Sequence, residues 1–146
     1  MRTIGIGLGV LLPLNKKRTQ RAGPMHPRRN LYRLATTIEL ITGVTLLFMP
    51  ELIIRLLFAT DANEVGLSLA QLYGLALVGL GVSSASEPCP RAAQRGLLIY
   101  NSFAAVQLFA LIAKAISGGL VVWSAACLHL MLGVLMTIDQ LQERSN

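Results

Sequence analysis

Residues 34–49, LATTIELITGVTLLFM, decide how this chain is read. The stretch is apolar enough and long enough to enter a bilayer, where a helix satisfies its own backbone polar groups. It also carries a carboxylate, Glu39, in its interior. Three later blocks of similar length repeat its hydrophobic character. Together they predict an all-α integral membrane four-helix bundle, with spans at about 31–49, 65–82, 96–116 and 120–138. Residues 1–30 are then expected to form a basic, largely disordered tail, and residues 139–146 a short polar one.

The bulk composition agrees with a membrane setting. The chain of 146 residues is long enough for one domain and not comfortably for two. Hydrophobic residues make up 53% and charged residues only 14%, against roughly a quarter charged in a soluble domain. The mean hydropathy is +0.59. The net charge of +6 could point to nucleic acid, but the distribution argues against it. Eight of the thirteen Lys and Arg residues precede the first apolar block: Arg2, Lys16, Lys17, Arg18, Arg21, Arg28, Arg29 and Arg33. A basic cluster directly before a hydrophobic helix is a topology and anionic-lipid signal, so the lipid bilayer is the expected partner and nucleic acid is disfavoured.

The short apolar run Ile4–Leu14 behind Arg2 resembles a signal-peptide core. It leads into Lys16-Lys17-Arg18 rather than a small-residue cleavage site, and it is too short to span. Met25, followed by His26-Pro27-Arg28-Arg29, is a second plausible translation start.

After the first span, Pro50-Glu51 suits a helix's first turn. Leu52, Ile53, Leu56 and Leu57 fall on one side of that helix, opposite Glu51 and Arg55, which predicts a short amphipathic helix at the membrane surface. Asp61 and Glu64 have capping-box spacing before the second span. The segment Ser83–Gln94, with Pro88 and Pro90 around Cys89, breaks the second span from the third, and Ser117-Gly118-Gly119 connects the third to the fourth.

With four spans, both termini and the Pro88 segment share one side. That side holds eleven Lys and Arg residues and the other holds two, Arg55 and Lys114, which places both termini in the cytoplasm. The two cysteines, Cys89 and Cys127, form no disulfide framework or metal motif.

Small residues recur at helical spacing in two spans: Gly66, Ala70 and Gly74 in the second, Ala125 and Gly133 around His129 in the fourth. Such faces admit a neighbouring backbone closely, and fit helix packing inside the chain, a homo-oligomer or another membrane subunit.

The polar groups at membrane depth are the candidate site: Glu39, His129, Asn101 and Gln107. A carboxylate at the bilayer centre costs roughly 2.5 kcal/mol or more on insertion scales. Thr36, Glu39 and Gly43 share a face that should point into the bundle. Two readings follow. In one, Glu39 is a buried structural carboxyl that fixes helix packing. In the other, a Glu39–His129 pair attended by Asn101 or Gln107 handles a proton, a small molecule or a quinone. No His, Cys, Asp or Glu cluster has metal-ligand spacing, no phosphate-cradling loop occurs, and no nucleophile–base arrangement stands out, so no cofactor, metal or enzymatic activity is expected.

The segments ELITGVTLLFMPELIIRLLF, GLSLAQLYGLALVGLG, LLIYNSFAAVQLFA and VVWSAACLHLMLGVLM resemble small four-helix bacterial membrane proteins of the DoxX-like kind, over about residues 34–136. The specific points are Leu46–Pro50, Tyr100-Asn101, and Trp123 with His129. The resemblance implies a four-helix bundle in a bacterial inner membrane; some such proteins are associated with quinone-linked sulfur oxidation. This chain departs from it at Gln71, where Arg would be expected, and at Ala59, where Gly would be. Those departures bear on anion binding and loop geometry, so the redox activity is not carried over.

Overall fold

Proline sets three of the helix starts. In the computed structural model, which describes residues 27–114, 116 and 119–145, α1 (Pro27–Phe48) and α2 (Pro50–Phe58) each open on a proline. Its missing N–H is one that the first turn leaves unpaired anyway. Helix α4 (Arg91–Ala113) follows Pro90, whose backbone is extended. The others are α3 (Glu64–Ser84) and α5 (Leu120–Ser145). All regular structure among the described residues is helical.

Four of these helices are long and apolar enough to cross a membrane: Arg28–Phe48, Glu64–Ser84, Arg91–Ala113 and Leu120–Ser145. At 1.5 Å per residue, about twenty residues match a hydrocarbon core of about 30 Å. Many large apolar side chains face outward, while a few polar ones are buried with the apolar core. Phe48, Ile41, Leu72, Phe103, Val106 and Leu120 are all exposed, while Glu39, Asn101 and Thr36 are buried. Apolar side chains on that scale find favourable surroundings in lipid, not in water. Four such helices are compatible with a multi-pass membrane protein.

The helix ends differ from the sequence expectation in instructive ways. Helix α1 begins at Pro27 rather than near residue 31, so Arg28 and Arg29 belong to it. Helix α4 begins at Arg91 rather than near 96, and α5 continues past 138 to Ser145. Hydropathy marks only the apolar part of a helix, and these polar turns extend beyond it. The expectation for residues 1–26 lies outside the described residues. The α3 cap is Asn63, not Asp61: its Oδ1 accepts from the Gly66 N–H at 2.8 Å. Asp61 sits too early to reach the first turn and instead accepts from Arg55 Nε at 2.8 Å.

The short amphipathic helix is present as α2, with Leu52 and Leu56 exposed and Ile53 and Leu57 half-buried. Arg55 is clasped by Glu51 at 2.9 Å and by Asp61. Ala59 closes α2 in the left-handed region, φ 52°, its N–H donating to Arg55 O at 2.9 Å. This is the helix-ending conformation that glycine adopts freely and that strains an alanine by about 1 kcal/mol.

The bundle is two antiparallel pairs, α1 against α3 and α4 against α5, each packed more extensively within itself than against the other. Glycines permit the first pairing. A Cβ on Gly43 would lie 2.8 Å from Gly74 O, and one on Gly74 would lie 2.7 Å from Gly43 O and 2.9 Å from Leu46 Cβ. The two backbones touch there. In the second pair, a Cβ on Gly133 would lie 3.1 Å from Ser102 Oγ. Of the other expected packing positions, Ala70 and Ala125 are half-buried. A Cβ on Gly66 would meet only Ala62 and Asn63 of its own N-terminal turn.

The pairs meet across a small apolar core of Tyr32 and Ala35 from α1, Leu97 from α4, and Leu132 and Met136 from α5. Ions reinforce that junction at the end of the bundle carrying the start of α1 and the finish of α5. Arg28 bridges Asp139 at 3.1 Å and Glu143 at 2.7 Å. Tyr32 donates to Asp139 at 2.9 Å, and within the second pair Arg91 reaches Glu143 at 3.2 Å.

Candidate functional site

Glu39 lies near the middle of α1, Tyr73 near the middle of α3, Asn101 near the middle of α4, and His129 about a third of the way along α5. Each interrupts an apolar run, and the helix packing brings Glu39, Asn101 and His129 together, with Tyr73 joined to them through the Tyr100 hydroxyl. In lipid, polar side chains are driven to face one another because the surroundings offer no partner. The result is a polar chain crossing from one helix pair to the other.

Asn101 is its centre. It is fully buried, as is Glu39, both 0% exposed. Its Nδ2 donates to Leu97 O, one turn back on α4, at 2.9 Å, and to Glu39 Oε1 at 3.3 Å. Its Oδ1 lies 2.8 Å from His129 Nδ1. The Leu97 carbonyl can only accept, which fixes the amide with Nδ2 toward Leu97 and Oδ1 toward the imidazole. His129 Nδ1 must therefore carry the hydrogen and donate it. In a neutral ring, that leaves Nε2 with a lone pair.

Two tyrosines complete the arrangement. The Tyr73 hydroxyl donates to the Tyr100 hydroxyl at 3.0 Å, a second polar crossing between the pairs. The Tyr100 and His129 rings meet edge to face, centroids 5.6 Å apart and planes at 85°. Tyr100 sits within electrostatic reach of the Glu39 carboxyl, yet Glu39 Oε2 has no hydrogen-bond partner. One turn toward the termini from Glu39, Thr36 Oγ1 donates to Ser84 Oγ at 2.9 Å, tying α1 to α3. The Thr36–Glu39–Gly43 face does point into the bundle: all three are buried.

The expected set is thus only partly brought together. Glu39 and His129 do not touch; Asn101 stands between them. Gln107 is exposed. It follows Asn101 by six residues, which at 100° per residue turns it well off the inward face. Tyr73 and Tyr100 join in its stead, and a tyrosine in a span carries little signal because its apolar ring suits lipid so well. Among the described residues, no three His, Cys, Asp or Glu side chains gather as a metal site.

Two further features were invisible to hydropathy. Asp139 and Glu143 stand one turn apart on α5 and face Arg28; the even number of spans and this spacing are the signal that could have paired them. At the start of α4, Gln94 Nε2 donates back to Cys89 O in the preceding segment at 2.7 Å, and partial burial pushes the Cys89 thiol up from its ordinary pKa.

Chemically, the mid-bundle chain offers a carboxyl with one uncommitted oxygen, an amide with all its groups engaged, and an imidazole of defined tautomer. That suits a hydrogen-bonded clasp between helices, and it also suits a group that holds a proton. The chain matches no family model, no curated protein and no solved structure.

Proposed function

We propose that this is a non-enzymatic structural or accessory protein of a bacterial inner membrane, with both termini in the cytoplasm, in which the Glu39–Asn101–His129 chain clasps two helix pairs into one bundle. The single observation that carries this reading is the sealing of the chain. Glu39 and Asn101 are fully buried, and all three hydrogen-bonding groups of the Asn101 side chain end on partners inside the bundle. A group held this way is placed to specify helix pairing, which apolar packing alone specifies poorly in lipid. The cytoplasmic assignment rests on the eleven-to-two distribution of basic residues. The inner-membrane setting rests on the DoxX-like resemblance.

A second reading is favoured by a specific observation: Glu39 Oε2 has no partner, and His129, only half-buried, lies two hydrogen bonds away. These groups are the equipment of a membrane protein that handles a proton, a small polar molecule or a quinone.

The substitution Glu39→Gln separates the two, since it keeps the shape and the acceptor while removing the option of charge. On the clasp reading, Glu39→Gln unfolds in a detergent titration at nearly the wild-type midpoint, and Glu39→Leu loses roughly 1–2 kcal/mol by orphaning an Asn101 N–H. Liposomes carrying the protein and a trapped pH dye show no proton flux above empty ones. Flux that is present in the wild type and abolished in a well-folded Glu39→Gln protein would replace the clasp with the proton-handling reading.

A further inference from the structure

At the end of the bundle that carries both α1's start and α5's finish, a cavity of about 710 Å3 opens between α1 and the segment joining α3 to α4. Arg28, Arg29, Arg33 and Arg91 line it, against two carboxylates, Glu87 and Glu143. Their commitments are unequal. Arg28 and Arg91 are tied to Glu143, and Arg28 also to Asp139. Arg29 and Arg33 share Glu87 alone, at 3.8 and 3.1 Å, and both remain more than half exposed, 57% and 60%. One carboxylate answers two guanidiniums, so the mouth of the cavity carries surplus positive charge. A guanidinium fork is the side chain best suited to grip a phosphate with two parallel hydrogen bonds.

The cavity is graded along α1. Arg29 and Arg33 lie one turn apart on one face. Deeper, Thr36 and Thr37 bring hydroxyls, and Leu40 closes the inner wall. Over the roughly 10 Å of helix from Arg33 to Leu40, the lining passes from cationic to hydroxylic to apolar. That is the polarity profile of an amphiphile standing in a membrane leaflet. A free phosphate would use the arginines and have no use for the apolar wall below them.

We propose that this cavity is a binding site for the headgroup of an anionic phospholipid, its phosphate held by Arg29 and Arg33 and its acyl chains running past Leu40 into the bilayer. Glu87 occupies the arginines when no lipid is present and yields them to the phosphate.

The test is native mass spectrometry of the full-length protein in micelles, with phosphatidylglycerol and phosphatidylcholine of identical chains supplied in turn. Phosphatidylglycerol is retained in preference. The double substitution Arg29→Gln/Arg33→Gln removes that preference, at about fivefold per arginine. Arg55→Gln, at the opposite end of the bundle, leaves it intact, and Lys16→Gln/Lys17→Gln in the tail reduces it less than the cavity pair does. Glu87→Gln, which frees both guanidiniums, raises retention of phosphatidylglycerol, a gain that a misfolded protein would not show. Equal retention of the two lipids, an equal loss in Arg55→Gln or in the tail variant, or no gain in Glu87→Gln would overturn the proposal. Displacement by glycerol phosphate at the same concentration as the lipid would also overturn it, by assigning the cavity to a soluble phosphate.

Discussion

Asn101 is the residue on which the interior depends most. Replacing it with leucine strands Glu39 Oε1, His129 Nδ1–H and the extra bond to Leu97 O at once. Deep in the bundle, where Glu39 and Asn101 are fully buried, none of these finds water in compensation. We expect Asn101→Leu to lower stability by about 1–3 kcal/mol in a reversible unfolding titration, clearly more than Glu39→Gln does. Sequence made part of this visible. Glu39 and His129 announce themselves because an ionisable group inside an apolar run is costly, and counting turns from the helix ends puts Asn101 near the depth of Glu39 and Gln107 near that of His129. The rotation of each helix about its axis is not set by hydropathy. That is why Gln107 looked equivalent to Asn101, although it faces outward, and why Tyr73 was not counted in the site.

At the scale of elements, glycine determines how closely the first pair approaches. Gly74→Ala drives a Cβ to within 2.7 Å of the Gly43 carbonyl and 2.9 Å of Leu46 Cβ, where backbone has to give. Gly79, on the same helix, has nothing within 4 Å of where its Cβ would stand. Gly74→Ala should therefore cost about 1–3 kcal/mol, whereas Gly79→Ala should stay within about 0.5 kcal/mol of wild type. Both are measured by the same unfolding titration. Equal behaviour would show that α1 and α3 do not meet at the Gly43–Gly74 crossing. The small-residue pattern in the sequence pointed to this face but could not rank its members: Gly74 sits at the crossing, and Gly66, two turns earlier, only lines its own cap. The short helix after the first span was legible from Pro50, Glu51 and the leucine spacing. The left-handed Ala59 at its end was not, since alanine does not signal that conformation as glycine would.

For the whole molecule, the cysteines provide a topology test. Cys89 lies between α3 and α4, and Cys127 is exposed on the span α5, where lipid would surround it. With cytoplasmic termini, a charged maleimide labels Cys89 only when the cytoplasmic face of the membrane is accessible, and labels Cys127 from neither side. Burial raises the Cys89 pKa, so less thiolate is present near neutrality than in a free thiol. Its labelling should be slower than that of a free thiol at pH 7 and should accelerate as the pH rises toward the thiol's own range. Labelling of Cys89 from the outer face alone would invert the proposed orientation. The number of long apolar helices was legible in the sequence because each is an apolar block. The division into two pairs was not, because it depends on which faces meet.

That division carries a consequence for alignment. Apolar surfaces in lipid slide past each other cheaply, so two separately packed hairpins could stand at many relative heights. Here the contacts that join them are at graded depths: Arg28 with Asp139 at the termini end, then Asn101 with Glu39 and Tyr73 with Tyr100 near mid-bundle. A shift of one hairpin by a single helical turn, about 5.4 Å, would break them together and offer no matching set in exchange. The polar side chains thus act as a key cut at more than one depth, and only one vertical setting of the two halves turns in the lock.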